Sequence, residues 1–224
     1  MAGLVTLDLF ERALRKAHQD GAAFMLIGGL AVGFWARRYE VFDWPGETIY
    51  SKDIDLRGDK AASSLLAARL KEEGHKVTSI VQVKRNEPPG LGMNYVVQLD
   101  MQGLGRISVE VLEKMPLVDA PDIPPRGIAL VVGDFPVLDP LSLMIGKIHA
   151  WNNRPAGHSD NDAKHLELLR RLLPAFMEEA CQRGLVEDIR ERATALLDIL
   201  ETWKVPFSPQ DLNELRDALR HRAA

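Results

Sequence analysis

An α+β architecture is the expectation for this chain: a mixed sheet flanked by helices over residues 1–138, followed by a C-terminal helical region over residues 139–224. Three observations predict it. Residues 1–138 alternate short apolar runs with segments of helical periodicity, which is how strands and helices interleave in one domain. Two of the runs, NYVVQLDM and RISVEVL, are separated only by QGLG, a hairpin signal that introduces antiparallel pairing. After Pro140 strand patterns cease, and four long segments repeat their apolar residues at helical spacing.

The elements follow in order. Leu7, Phe10, Leu14 and Ala17 recur at helical spacing, so residues 6–19 read as an amphipathic helix ended by Gly21. AAFMLIGG is a buried strand over 23–27 closing on a glycine turn, and LAVGFWARRY is the helix after it. The stretch EVFDWPGETIY holds Pro45 and Gly46 and reads as a loop. Residues 52–57 form a strand. Residues 59–73 form a helix with Asp59 as its cap and Gly74 as its stop. HKVTSIVQVK is a further strand, and IALVVGDFPVLD supplies one or two short ones. Ser208 followed by Pro209 marks the start of the last helix.

Composition narrows the function classes. The 224 residues carry a formal net charge of −4, so no global basic field points to nucleic acid. The single cysteine, Cys181, excludes a disulfide framework and a cysteine-based zinc site. It suits a reducing compartment. The N-terminus mixes charge with apolar residues, and no run approaches the roughly 18 apolar residues of a membrane span. The expectation is a soluble, cytoplasmic protein with no membrane partner.

The chemistry concentrates in SKDIDLRGD. Side chains alternate faces along a strand, so Asp53 and Asp55 project together while Ile54 and Leu56 face the core. Their Cα atoms lie roughly 6.6 Å apart at about 3.3 Å per residue. Two carboxylates at that spacing repel one another unless a cation relieves them, and magnesium or manganese takes hard oxygen ligands of this kind. Upstream, LIGGLA places Gly28 and Gly29 at a strand-to-helix junction, where phosphate oxygens can approach the backbone and a helix N-terminus. Downstream, ISVEVL sets Glu110 and Ser108 on one face, opposite Ile107, Val109 and Val111. Glu110 completes a three-carboxylate cluster if its strand neighbours the aspartate strand. Asp100, on the hairpin partner, is the rival for that place.

This order of parts resembles the nucleotidyltransferase superfamily whose fold is shared with DNA polymerase beta. Within it the chain looks most like bacterial nucleotidyltransferases of the AbiE-toxin kind. The matching residues are Gly28, Gly29, Ser51, Asp53, Asp55 and Glu110. A second match is IGKIHAWNNRPAGHSDNDAKHLELL, where Lys147 fits the family's lysine, Arg154 its arginine, and Asp160 or Asp162 its acid.

The resemblance implies transfer of a nucleoside monophosphate from a triphosphate such as ATP onto an acceptor hydroxyl, with pyrophosphate released. Asp53, Asp55 and Glu110 would be the catalytic and metal-holding carboxylates. Gly28, Gly29, Ser51, Lys52, Lys147, Arg154 and Asp162 would bind the nucleotide. The acceptor would be RNA (tRNA ends in particular), a protein, or a small molecule such as an aminoglycoside. A toxin-like role brings a cognate antitoxin as partner. Ile49 stands where many relatives carry Arg, and Glu110 where they carry Asp. These two differences motivate the alternative: a nucleotide-binding interaction module with weakened transfer.

Overall fold

The computed structural model describes residues 7–42, 53–83, 94–101, 105–113, 129–131, 136–153 and 160–223. The described chain divides into two compact units. One draws on Met1–Phe34, Gly46–Met115 and Ala129–Leu138; the described parts of the other come from Trp35–Pro45 and Asp139–Ala224.

The first unit is built on a seven-stranded mixed sheet. Its strands are β1 (Phe24–Ile27), β2 (Asp53–Gly58), β3 (Lys76–Val83), β4 (Asn94–Met101), β5 (Gly105–Leu112), β6 (Ala129–Val131) and β7 (Pro136–Leu138), in the order β3-β4-β5-β2-β1-β7-β6. β4 and β5 form the expected antiparallel hairpin, with Val97 opposite Val109. β2 then pairs with β5 in parallel and with β1 antiparallel, and β1 pairs with β7 in parallel.

Alternation decides the two faces of this sheet. Leu26, Ile54, Leu56, Val97, Leu99, Ile107, Val109 and Val111 are buried. Their neighbours in sequence on β2 and β5 (Asp53, Asp55, Ser108 and Glu110) are half-buried. Helix α1 (Glu11–Gln19), preceded by a single 3-10 turn at Leu7–Leu9, packs on α3 (Lys60–Glu72). Glu73 ties the two together, accepting from Lys16 at 2.7 Å and pairing with Arg12 at 3.1 Å. α3 in turn contacts β3 and β4. Asp59 caps α3 as its sequence suggests, with its side chain accepting from the Ala62 N–H at 2.8 Å. Gly21 and Gly74 follow their helices with φ of 94° and 89°, conformations that glycine adopts without steric penalty.

Two expectations are corrected. The Gly28–Gly29 pair is not a turn ahead of a helix; α2 (Gly28–Arg38) begins on Gly28 itself. Gly28 has φ of 71°, so one residue without a Cβ reverses the chain between strand and helix. Strand β2 runs to Gly58, one residue beyond the expected end at Arg57, while its expected start at Lys52 lies outside the described residues.

The second unit is helical. It comprises the end of α2 with α4 (Pro140–Asn153), α5 (Asp160–Gln182), α6 (Val186–Thr202) and α7 (Pro209–Ala223). Apolar stripes interlock: Leu166, Leu169, Leu173, Phe176 and Met177 of α5 are buried, as are Ile189, Ala193, Leu196 and Leu200 of α6. Trp35 packs edge-on against Phe176, with ring centroids 5.5 Å apart. Ser208 caps α7 through the Asp211 N–H at 3.1 Å. Among the described residues no helix is long and apolar enough to cross a membrane.

Candidate functional site

The arrangement of the acids follows from the register of β2 and β5. These strands are parallel neighbours, and Asp55 lies directly opposite Glu110 while Asp53 lies opposite Ser108. Register partners share a face, and adjacent strands stand about 4.8 Å apart. Asp53, Asp55 and Glu110 therefore occupy one half-exposed patch, with Ile54 and Val109 buried behind it. The acids sit on regular strands rather than loops, which keeps their backbones rigid.

Gly28 completes this patch. β1 is antiparallel to β2 with Ile27 opposite Asp55, so the start of α2 falls beside the aspartates. A Cβ built on Gly28 would overlap the Asp55 carboxylate, lying 2.7 Å from its Cβ and 2.8 Å from its Cγ. Real Cβ atoms essentially never come that close. The backbone here is pressed against the acid in a space that only glycine permits, and the left-handed φ imposes the same requirement independently.

The rival acid is elsewhere. Asp100 lies opposite Arg106, four residues along β5 from Glu110, or roughly 13 Å at about 3.3 Å per residue. It is exposed and pairs with Lys76 at 3.3 Å. Between them the described acids of this face supply hard oxygen donors suited to magnesium or manganese. As placed, no group of three His, Cys, Asp or Glu side chains among the described residues is gathered closely enough to hold an ion.

Lys147 and Asp162 belong to the second unit. There they form an ion pair between α4 and α5, with Nζ and Oδ1 3.4 Å apart and side-chain exposures of 14% and 3%. Asp160, the other acid considered, is exposed at the start of α5. Ser51, Lys52 and Arg154 lie outside the described residues.

Three features of the structure have no place in the sequence reading. Gln98 of β4 donates to the Ser108 hydroxyl at 2.9 Å, extending a polar row from Asp53. Strand order was needed to see this. In the second unit, Asp139, Ser142 and Arg192 form a buried cluster. Arg192 donates to Ser142 Oγ at 2.8 Å and stands 3.9 Å from the Asp139 carboxylate. Asp139 also caps α4 through the Ser142 N–H at 2.9 Å. The dipeptide Asp139–Pro140 is a start signal for that helix; nothing in the sequence points to Arg192. Thirdly, an open cavity of ≈ 530 Å³ lies at the far end of β1 and β2, lined by His18, Phe24, Met25, Arg57, Asp59 and Glu113 among others. Beside it Tyr95 donates to Glu113 at 3.1 Å; burial first, then this carboxylate, raises the Tyr95 phenol above its usual range.

No family model matches the chain, and no curated protein matches it in sequence. Among solved structures it is similar to the antibiotic-resistance factor ANT(2'')-Ia, seen in solution with 13% identity over 96% of this chain and 91% of that one, at a TM-score of 0.43. The crystal structure of ANT(2'')-Ia with adenylyl-2''-tobramycin gives 14% identity over 97% and 98%, at 0.44. JHP933 from Helicobacter pylori gives 13% identity over 96% and 89%, at 0.46. The Megavirus polyadenylate synthase gives 12% identity at 0.46, over 75% of this chain but only 31% of that one. The functional reading accordingly rests on the geometry of Gly28, Asp53, Asp55 and Glu110.

Proposed function

We propose that this protein is a metal-dependent nucleotidyltransferase that moves a nucleoside monophosphate from a triphosphate onto an acceptor hydroxyl. One observation carries the reading: Asp55 and Glu110 face each other across parallel strands, one step from Asp53, where the Gly28 backbone is held against the Asp55 carboxylate. Like charges directly opposite in a sheet repel each other. A cation between them turns the repulsion into attraction.

Asp53, Asp55 and Glu110 would hold magnesium or manganese, which when bound neutralises charge on the triphosphate. The chain's own contributions are positional. Gly28 admits the Asp55 carboxylate, and with Gly29 it forms the N-terminus of α2, whose free N–H groups favour anions such as phosphate. Glu110, half-buried beside Asp55, would take a proton from an acceptor hydroxyl. Phosphoryl chemistry of this kind depends on positioning and charge stabilisation more than on covalent catalysis. The motif likeness to AbiE-type enzymes extends the proposal to a toxin restrained by a cognate antitoxin.

The test is direct. The purified protein is incubated with each α-labelled triphosphate and magnesium, in the presence of total RNA, protein or an aminoglycoside. Label appears in one acceptor pool, and the signal is lost in Asp53→Ala. If the melting temperature stays flat across triphosphate and magnesium titrations, the reading fails, because a ligand of the native state must stabilise it.

A further inference from the structure

The face that carries the acids does not stop at them. Register continues it across three more strand positions. Asp53 of β2 faces Ser108 of β5, Ser108 faces Gln98 of β4, and Gln98 faces Ser79 of β3. One step along, Asp55 faces Glu110, Glu110 faces Val96, and Val96 faces Val81. Two parallel rows thus lead away from the carboxylates, one of hydroxyls and an amide, the other of valines. Each spans roughly 14 Å from β2 to β3 at about 4.8 Å per strand.

A β-bulge assembles the outer end. The pairing of β3 with β4 shifts between Val77 and Ser79, leaving Thr78 as the extra residue. An extra residue reverses the alternation, so Lys76 and Ser79 both come to the same face as Gln98. Thr78 secures the shift by donating to the Gln98 carbonyl at 3.2 Å. Without the bulge, Thr78 would take the place opposite Gln98, and Ser79 and Val81 would lie on the opposite face. Ser108, Gln98 and Val96 are half-buried, Ser79 is exposed, and Val81 is 46% exposed. The surface is accessible along its length.

We propose that these two rows are the resting place of the acceptor, and that the acceptor is a polypeptide presenting a Ser, Thr or Tyr hydroxyl to the carboxylates. The inference rests on the nucleotidyl-transfer reading above. Charge selects the class. Beyond the three acids, the described charges of this face over β3–β5 are Lys76 and Arg106 with Asp100 between them. One net positive charge gives a polyanion little purchase, because nucleic-acid affinity scales with the number of phosphates neutralised. A polycation finds Asp100 as its one described acid on β3–β5 outside the cluster, and that acid is already paired with Lys76. A neutral chain of amides and mixed side chains fits instead: its polar groups hydrogen-bond to Ser108, Gln98 and Ser79 while apolar side chains cover Val96 and Val81. Gln98 and Val81 are contacts for the acceptor and have no part in holding the triphosphate.

Three acceptor probes decide the matter: a degenerate peptide mixture bearing Ser, Thr or Tyr, total tRNA, and tobramycin, each with α-labelled triphosphate and magnesium. Label is expected in the peptides. Gln98→Ala and Val81→Glu are expected to raise the peptide KM at least about tenfold, leaving the triphosphate-induced shift in melting temperature as in the parent. Val81 is exposed, so its variant keeps the test open should Gln98→Ala fold poorly. Triphosphate binding with label only in tRNA or tobramycin, or in no probe, overturns the polypeptide assignment and leaves nucleotide binding standing. Peptide labelling at the parental KM in both variants overturns the two-row surface. A protein that binds no triphosphate overturns the nucleotidyl-transfer reading and this inference with it.

Discussion

The two units treat acidic side chains in opposite ways. In the sheet unit, Asp53, Asp55 and Glu110 lie half-exposed on one face, two of them opposite each other. In the helical unit, Asp139 is fully buried and Asp162 nearly so, and each has a basic side chain beside it: Arg192 for the first, Lys147 for the second. Burying a charge is costly unless it is paired and hydrogen-bonded, so the helical acids are part of what holds that unit together. The sheet acids are only half-buried, where a ligand can reach them, whereas the two helical acids are enclosed.

Substitutions should break the two groups differently. The largest effect is expected for Asp55→Ala: a loss of transfer of about a thousandfold or more, since removing a charge-stabilising group costs several kcal/mol at ~1.4 kcal/mol per tenfold. Its unfolding free energy should stay within about 0.5 kcal/mol of the parent, as for substitutions outside the core. A large drop in stability, measured by urea unfolding, would mean that Asp55 is structural.

Arg192→Ala should show the reverse pattern. It leaves Asp139 buried without its cation and should lower stability by about 3 kcal/mol or more. Pairing it with Asp139→Asn should recover part of that loss, because the stranded charge is removed. If the double variant is no better than the single one, the cluster is held by packing rather than charge.

Gly28→Ala sits between these extremes, because the glycine touches the acid. The added methyl meets Asp55 and the residue must hold φ of 71°, so a cost of about 1–3 kcal/mol is expected, with transfer reduced as Asp55 is displaced. Gly21→Ala, which has a similar φ but nothing within 4 Å of its Cβ position, separates backbone strain from the clash.

The smallest effect is confined to alkaline solution. Burial, then the hydrogen bond to Glu179, pushes the Tyr39 phenol up to about 12 from an ordinary 10. The folded state therefore favours the protonated form. That contribution is complete below pH 10 and fades as pH rises from 10 towards about 12. Stability measured across this window should fall less steeply in Tyr39→Phe. Identical slopes would place the linkage elsewhere.

Much of this was legible in the amino-acid sequence, for local reasons. Alternation in DIDL and ISVEVL sends Asp53, Asp55 and Glu110 to one side and Ile54 and Val109 to the other, because a strand reverses its side chains at every residue. Asp59 before α3 and Ser208 before α7 announce helix starts by supplying an acceptor to a free N–H. Other features depend on which strands become neighbours, which no local pattern encodes. The parallel register of β2 with β5 chose Glu110 over Asp100. Docking of β1 against β2 brought Gly28 onto Asp55. The bulge at Thr78 turned Ser79 towards the same face as Gln98. Arg192 reaches Ser142 across fifty residues of chain by helix packing alone. Local periodicity determined which way each side chain points; the tertiary structure decided what it meets, because contacts distant in sequence are set by how whole elements bury their apolar faces together.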